Sequence, residues 1–422
     1  RAAQAVGGTD RALAEKIANQ VTTVLEVFFK GENDIPNVEE IQDLVEKILI
    51  EGGHAKTAKA YILYRAGHKD QRARQMQILN GGTTKLPFSE NALTVIAARY
   101  LQRDENGEVC ETPEGMYDRV ATALASVEAE HGKTPEQVQK ITDEFKEVLY
   151  NFQFIPAGRT LTNAGGKTRL VANCIVLHFE DSMNGIFGAL HQAALLQQAG
   201  SGLGFAWHLL RPAGTRTGKT QGTASGPVSF LRAYNESFGV IKQQGRHGAN
   251  MGVMRVDHPD ILEFIEAKWE EGSLVNFNIS VGMTDAFMEA VKSGSKEPWL
   301  CEWQGKKMKP RRVIRNSRGA FVDAIEETMT ASELMDKIIE AAWRNGEPGV
   351  LFPDAANRTN PVPSLGRLEA TNPCGEQWLH DGDVCNLGSI NLAKFVKNGA
   401  IDEAGLIRAT KISTRLLDNV ID

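Results

Sequence analysis

From Phe154 onward, short apolar runs alternate with stretches of helical periodicity. This alternation predicts an α/β domain with parallel strands, because a helix between two strands returns the chain to the same edge of the sheet. Active-site residues in such domains usually lie on loops at strand ends. The predicted strands are Leu170–Leu177, Leu203–Ala206, Met251–Val256 and Val275–Val281, and the predicted helices are Gly185–Gln198, Val228–Gln243, Pro259–Trp269 and Ala286–Ser293.

The sequence before Phe154 has helical periodicity throughout, interrupted by a glycine-containing stretch at 75–85 that is typical of a linker. It therefore predicts three parts: a helical domain at 1–70, a linker with a second helical domain at 71–153, and the α/β domain at 154–422. The predicted helices are Ala12–Phe29, Val38–Ile50, Ala55–Tyr64, Asn91–Leu101, Met116–Ala129 and Thr134–Phe152.

Composition excludes several classes of protein. The 47 Lys and Arg against 53 Asp and Glu give a formal net charge of −6, and no long basic run occurs, which argues against nucleic acid or a membrane as partner. Five cysteines without a CxxC pair do not suit a secreted disulfide framework or a metal site, so we expect a cytoplasmic protein. Because the chain begins at Arg1 and not at Met, we expect that it is cut from a longer protein or processed.

The segment Asn372-Pro373-Cys374-Gly375-Glu376 places an amide, a thiol and a carboxylic acid within five residues. In an extended or loop backbone, side chains two positions apart point to the same side, so these three groups can face one substrate. Pro373 and Gly375 favour a tight loop over a helix. The segment therefore predicts a reaction centre at Cys374, although its spacing does not distinguish a nucleophile from a radical.

Four other segments each allow a functional and a structural interpretation. Gly200–Gly204 could cradle a phosphate or mark a place where chains pass closely. Thr160–Gly165 could hold phosphate or sugar hydroxyls, or form a hydrogen-bonded turn. Asp181–Met183 precedes a predicted helix and could cap it. Gln243–Gly248 could be a mobile recognition loop or solvated surface.

Two further cysteines, Cys174 and Cys385, lie where a lone cysteine is usually core packing. However, a reaction that removes oxygen from a substrate needs two electrons, and two thiols that close to a disulfide supply them. On the residues alone, both interpretations stay open.

Taken together, these segments resemble the catalytic subunit of ribonucleotide reductase, most closely its adenosylcobalamin-dependent class. The resemblance covers Pro156 to Asp422 in collinear order, and the ordered set is far more specific than any one motif. The matching motifs are Ile155–Leu161, Asn173-Cys174, Asp181–Met183, Leu210–Pro212, Ser225–Phe230, His258–Ile261, Phe277–Val281, Asn372–Glu376 and Cys385–Ser389.

The resemblance implies a role for each residue of the predicted reaction centre. Cys374 would be the thiyl radical that abstracts the ribose 3′ hydrogen, and Cys174 with Cys385 would be the reducing pair. Glu376 would take the 3′-hydroxyl proton, and Asn372 would hydrogen-bond the sugar. Adenosylcobalamin would supply the initiating radical, while the protein orients the substrate and excludes water.

The resemblance also implies binding sites. The ribonucleotide substrate would contact Thr160, Asn173, Cys174, Gly202 and the segment Asn372, Pro373, Cys374, Gly375 and Glu376. A deoxynucleoside triphosphate or ATP effector would lie near Asp181, Ser182, Met183, Arg211 and Arg216. The loop that reports effector identity to the substrate site would comprise Gln243, Gln244, Gly245, Arg246, His247 and Gly248.

For the fold, the resemblance implies a ten-stranded α/β barrel with a finger loop at about 371–377, preceded by a partial ATP-cone at the N-terminus. Because the chain stops soon after Cys385, we expect the barrel to be incomplete and the chain alone to be inactive. Thioredoxin or glutaredoxin would be the external reductant, and a homodimer is expected. The alternatives are a large subunit that takes its radical from a separate metal-containing subunit, or a non-catalytic nucleotide-binding fragment.

Overall fold

The computed structural model describes residues 11–29, 36, 38–63, 65, 84–168, 170–218, 221–241 and 248–422. The chain divides into two compact units, Arg1–Pro113 and Glu114–Asp422. The predicted domain boundaries at residues 70 and 153 stay predictions. In the described part of the chain, no helix combines the length and the apolar character that crossing a membrane requires.

The first unit is helical, as its apolar spacing predicts. Arg65 joins two of its segments, because its guanidinium donates to Asp43 at 2.6 Å and to Glu46 at 2.9 Å. Ser89 caps the last helix by accepting a hydrogen bond from the Ala92 N–H at 3.3 Å. The helices cover Arg11–Phe28, Val38–Glu51, 55–63 and Glu90–Arg99.

Two helices open the second unit, and the C-terminal helix packs against the second of them. That second helix begins with a capping box, in which Thr134 and Gln137 exchange side-chain to backbone hydrogen bonds. Arg408 of the C-terminal helix reaches both carboxylate oxygens of Glu147 at 2.7 Å. The three helices are Pro113–Ser126, Pro135–Tyr150 and Glu403–Asp418, and a 3-10 turn, Val127–Ala129, follows the first.

The rest of the second unit is built on strands joined by helices. In chain order the strands are β1 Phe154–Pro156, β2 Cys174–Val176, β3 Gly202–Ala206, β4 Asn250–Arg255, β5 Asn278–Gly282, β6 Cys301–Trp303, β7 Lys306–Met308, β8 Arg311–Arg315, β9 Phe321–Glu326, β10 Gly349–Leu351, β11 Ala370–Thr371, β12 Trp378–Leu379, β13 Val384–Cys385, β14 Gly388–Ile390, β15 Val396–Lys397 and β16 Ala400–Ile401. The helices are Gly158–Asn163, Met183–Gln198, Pro227–Gly239, Ile261–Ile265, Asp285–Lys292, Ala331–Asn345 and Pro353–Arg358, with 3-10 turns at Trp207–Leu209, Pro363–Leu365 and Leu392–Phe395.

The main sheet has the strand order β10-β5-β4-β3-β2-β13. Strands β2, β3, β4, β5 and β10 are parallel and follow one another in chain order, while β13 is antiparallel to β2. Since each crossover moves one way along the sheet and such crossovers are right-handed, the helices collect on one face. The other face is left for a different element.

The helix-covered face carries the largest apolar core. Alternate residues of β3, Leu203 and Phe205, are fully buried in it. An aromatic cluster forms its centre, in which the Trp207 and Tyr234 ring centroids are 5.1 Å apart and those of Phe205 and Tyr234 are 5.4 Å apart. This packing fixes the sheet as a rigid support for whatever lies on its opposite face.

The opposite face of the sheet packs against the antiparallel pair β11 and β12. Ala206 of β3 and Val253 of β4 are buried there against Ala370 and Leu379 of that pair. The α/β class predicted from the sequence is confirmed, and each predicted strand overlaps an observed one. Closure of a ten-stranded barrel is not seen among the described residues, where β10 and β13 form the two edges of the sheet.

Candidate active site

Strand β11, the turn that follows it and strand β12 form a finger, residues 370–379, whose tip carries Cys374. Hydrogen bonds close the tip: the Asn372 N–H donates to the Gln377 carbonyl at 3.1 Å, and the Gln377 N–H donates to Asn372 Oδ1 at 3.1 Å. The Gly375 N–H donates to the Asn372 carbonyl at 3.0 Å, and Gly375 has φ +83°, which favours glycine. The sequence predicted this tight loop from Pro373 and Gly375.

The finger lies along β3, and two glycines of that strand make room for it. A Cβ atom on Gly204 would lie 1.8 Å from the Thr371 carbonyl oxygen, and one on Gly202 would lie 2.6 Å from Pro373 Cγ. Of the two interpretations of Gly200–Gly204, close passage of chains therefore describes the glycines of β3. Strand β3 therefore has glycine at the two positions that lie beneath the finger.

Cys174 and Cys385 are directly opposite each other on neighbouring antiparallel strands, β2 and β13. Opposite residues in such a pair have Cα atoms about 4.5 to 5.5 Å apart, which lies within the range of a disulfide. Both are thiols in the structure. The Cys385 thiol donates to the Cys174 sulfur, and this hydrogen bond lowers the pKa of Cys174 and raises the pKa of Cys385. Cys174 is therefore the better thiolate of the pair.

The finger tip lies beside this cysteine pair. Asn372 Nδ2 donates to the Cys174 sulfur at 3.7 Å, so the Asn372 amide is engaged at both ends by the protein. Partial burial raises the pKa of Cys374, and the charge of Glu376 raises it further. The same carboxylate acts on the pKa of Cys174 and of Cys385. One small region thus holds three thiols, one amide and one carboxylate.

Cys374 and Glu376 are exposed, whereas Asn372 is fully buried. A thiol kept protonated by a raised pKa can give up a hydrogen atom, and it is a poorer nucleophile than a thiolate. An exposed carboxylate at its side can exchange a proton with a bound molecule. The arrangement suits hydrogen-atom and proton transfer at the tip, with two electrons available from the adjacent pair.

The predicted substrate residues lie near the start of β2 and β3. Thr160 is buried, and its hydroxyl donates to the Val171 carbonyl at 3.3 Å. Asn173 Oδ1 is buried and accepts no hydrogen bond from the described residues, so a ligand hydroxyl is one group that could satisfy it. The Gly202 N–H donates to the Asn173 carbonyl at 2.9 Å.

The predicted effector residues lie beyond the opposite, carboxyl ends of the same strands. Arg211 pairs with Asp181, its Nε donating to the carboxylate at 2.8 Å. Ser182 caps the helix that begins at Met183, since its hydroxyl accepts from the Gly185 N–H at 3.0 Å, as one of the two interpretations predicted. The exposed Arg216 lies outside that pair, in a bridge to Thr223. Gln243, Gln244, Gly245, Arg246 and His247 lie outside the described residues, and Gly248 is described.

Sequence reasoning missed the residues that hold the finger. Asn278 donates from Nδ2 to the Pro373 carbonyl at 3.0 Å, and His208 pairs with Glu369 at 3.0 Å. Asn278 belongs to the motif Phe277–Val281, and an amide within the predicted strand Val275–Val281 was the available signal. No local feature of the sequence links His208 to Glu369.

Comparisons with known proteins bear on the whole chain. Three family models match: ATP cone domain over residues 1–70, ribonucleotide reductase all-alpha domain over 86–169, and ribonucleotide reductase barrel domain over 172–422. The barrel model alone covers more than half of the sequence.

Among curated proteins, a vitamin B12-dependent ribonucleoside-diphosphate reductase of Mycobacterium tuberculosis is 42% identical over 100% of this chain and 57% of its own length. One from Thermoplasma acidophilum is 37% identical over 97% of the chain and 58% of its length. A ribonucleoside-diphosphate reductase large subunit of Trypanosoma brucei brucei is 32% identical over 76% of the chain and 40% of its length. The chain spans little more than half the length of the most similar of these relatives. By its barrel and all-alpha domains, the chain belongs to the family of ribonucleotide reductase catalytic subunits.

Proposed function

We propose that the protein reduces ribonucleotides to 2′-deoxyribonucleotides with a thiyl radical on Cys374 and a reducing pair formed by Cys174 and Cys385. The observation that carries the proposal is the cross-strand position of the two cysteines beside the finger tip. That spacing lets a disulfide close without a shift of the backbone.

The proposed reaction balances with groups of this chain. The Cys374 sulfur takes the 3′ hydrogen atom, so a C–H bond breaks and an S–H bond forms. Glu376 takes the 3′-hydroxyl proton and returns it at the end of the reaction. One thiol of the cysteine pair gives a proton to the 2′-hydroxyl, which leaves as water, and the other gives a hydrogen atom to C2′, so that a C–O bond breaks and a C–H bond forms. Cys174 and Cys385 close to a disulfide and supply two electrons. Cys374 then returns its hydrogen atom to C3′ and is a radical again.

The pKa directions support these roles. A raised pKa keeps Cys374 protonated between turnovers, so that its S–H bond is available. The lowered pKa of Cys174 makes it the better leaving thiolate when an external dithiol reduces the disulfide. Because the Asn372 amide is held by Gln377 and Cys174, we assign it first to positioning the tip and second to the sugar.

We propose that adenosylcobalamin acts beside Cys374, because this thiol is exposed at the tip of the finger, where a bulky group could reach it. When bound, this cofactor supplies the first radical. The two vitamin B12-dependent reductases named above are 42% and 37% identical to the chain, whereas the large subunit is 32% identical, which favours cobalamin over a separate radical-generating subunit. Their names also favour a ribonucleoside diphosphate as substrate.

The remaining parts of the proposal follow the family. The matched ATP cone favours ATP or a deoxynucleotide as effector at 1–70, and Asp181, Ser182, Met183, Arg211 and Arg216 are proposed for a second effector site. Thioredoxin or glutaredoxin is proposed as external reductant, acting on the disulfide. A homodimer is proposed through the helix Met183–Gln198, whose exposed Met183, Phe187 and Leu195 are apolar.

The test is turnover of each ribonucleoside diphosphate and triphosphate by the full-length protein, with and without adenosylcobalamin and a dithiol. Cys374→Ser should abolish deoxynucleotide formation, because an O–H bond is too strong to take part in the hydrogen-atom exchange. Cys110→Ser is the matched control, since Cys110 is an exposed thiol outside the site. Normal turnover by Cys374→Ser would refute the proposal.

A further inference from the structure

The finger runs antiparallel to β3, and its contacts step along that strand. Glu369 at the base of the finger meets His208 beyond the end of β3, Thr371 lies over Gly204, and Pro373 lies over Gly202. The two glycine contacts set how close the finger comes to the sheet. Steric contact alone does not fix the position of the finger along the strand, so other contacts must set that position.

At the tip, one hydrogen bond from the sheet reaches the peptide next to the reacting thiol. Asn278 is the first residue of β5, and its Nδ2 donates to the Pro373 carbonyl at 3.0 Å. That carbonyl belongs to the peptide bond whose nitrogen is Cys374 N. Because a peptide is planar, a hydrogen bond to its oxygen fixes the plane from which the Cys374 side chain departs. Asn278 therefore acts on the direction of the thiol.

At the base of the finger, a hydrogen bond between His208 and Glu369 fixes the position in the same way. His208 Nε2 lies 3.0 Å from Glu369 Oε2, and the two side chains are 7% and 15% exposed. Arg367 adds a second contact to Glu369 at 3.4 Å. A hydrogen bond shielded from water to this degree is costly to leave unmade, so the base of the finger cannot shift without a penalty.

We propose that Asn278 and His208 are positioning residues, which fix the finger at its tip and at its base and so hold Cys374 in register with Cys174. This inference rests on the proposed function, which makes the position of the Cys374 thiol important. It assigns no contact with substrate to either residue. The physical claim is that both act through the backbone of the finger.

The first experiment compares Asn278→Ala with Asn278→Asp in the full-length protein. Asp has the size of Asn but no N–H to donate, so both variants should lose about 10- to 100-fold in kcat with KM changed by less than about twofold. Asn419→Ala is the matched control, because Asn419 also donates from its amide to a backbone carbonyl, that of Leu124 in the helix Pro113–Ser126. Wild-type turnover by Asn278→Asp would overturn the role of the donor.

The second experiment treats the base. Glu369→Leu removes the acceptor of the His208 hydrogen bond and should lower kcat by a similar factor, whereas Glu369→Gln keeps an oxygen acceptor and should restore most of it. If Glu369→Leu and Glu369→Gln behave alike, the base contact does not position the finger.

Two readouts do not depend on turnover. Amide hydrogen exchange at Gly375 and Gln377 should quicken in Asn278→Ala, while oxidation of Cys174 and Cys385 to a disulfide by diamide should keep its rate, because those cysteines lie on β2 and β13 and not on the finger. Unchanged exchange would overturn the proposal. Absence of any turnover in the unaltered protein would instead refute the proposed function. The hydrogen-exchange result would then decide whether Asn278 positions the finger.

Discussion

Gly204→Ala places one methyl group between a sheet strand and the finger, and its effect can be worked from the structure. The new Cβ would lie 1.8 Å from the Thr371 carbonyl oxygen, whereas real Cβ atoms do not come closer than 3.0 Å to such an atom. The finger must therefore move away from β3 by at least about 1.2 Å. Both surfaces are backbone, so no side-chain rotation can absorb the change.

The consequence is a displaced thiol. Overpacking of this kind costs about 1 to 3 kcal/mol of folding stability, and a misplacement of about 1 Å in a reacting group costs about 100-fold in rate. We expect kcat to fall by about 100-fold, equivalent to about 2.7 kcal/mol in the barrier, while the protein stays folded. The assay is deoxynucleotide formation by the full-length protein, with thermal unfolding followed in parallel.

Gly218→Ala serves as control, since a Cβ on Gly218 meets no atom of the described residues within 4 Å. It should leave both kcat and the unfolding temperature unchanged within error. If Gly204→Ala retained wild-type turnover, the reasoning that backbone contact with β3 sets the position of Cys374 would be wrong. A loss of turnover that merely tracked unfolding would refute it equally.

Three further predictions concern other groups. Cys385→Ala should raise the pKa of Cys174 and slow its alkylation at pH 7.5, measured by mass spectrometry, whereas Cys385→Ser keeps a donor and should preserve the rate. Arg311→Met should destabilise the chain by about 3 to 5 kcal/mol in urea, because it leaves the fully buried Asp260 carboxylate without its ion pair; adding Asp260→Asn should recover much of the loss. Burial lowers the pKa of His258 from 6.5 to about 4, so the unfolded chain takes up the proton first as the pH falls. Between pH 7 and pH 5 this difference should lower the free energy of unfolding by about 2 kcal/mol, and His258→Gln should not show that loss. An equal pH dependence in that variant would disprove the assignment.

The strands and helices of the α/β part were predictable because their apolar spacing is local. The predicted run Leu203–Ala206 is β3 without its first residue, Gly202. The predicted helix Ala286–Ser293 is displaced by one residue from the observed Asp285–Lys292. Helix ends were less accurate: Pro259–Trp269 shrinks to Ile261–Ile265, since apolar residues continue beyond the last helical hydrogen bond. Periodicity identifies an element more reliably than its ends.

The hairpins between 301 and 326 were not predicted. Strands β6 and β7 are joined through Gln304 and Gly305, both with positive φ, which is the backbone of a type I′ turn. Glutamine is an unusual first residue for that turn, so the sequence signal was weak. The strands are also short and flanked by charged residues, which hides their alternation.

The candidate site shows a different limit. The residue types at the finger tip predicted a reaction centre from the sequence alone. The pairing of Cys174 with Cys385 could not be predicted from local sequence, because 211 residues separate them. The contacts that hold the finger span similar distances, 95 residues for Asn278 and Pro373 and 161 for His208 and Glu369. Pairings at this separation are set by the order of strands in the sheet, which periodicity does not encode.

Where the finger meets β3, peptide backbone touches peptide backbone, and no rotatable side chain lies between the Thr371 carbonyl and Gly204. Because this contact involves backbone atoms only, it has no side-chain rotamers, and side-chain motion in the core does not reach the thiol through it. The scatter in the position of Cys374 should then follow that of strand β3. The radical proposed for Cys374 must abstract one hydrogen atom and not its neighbours, and a precisely fixed position would give it that selectivity.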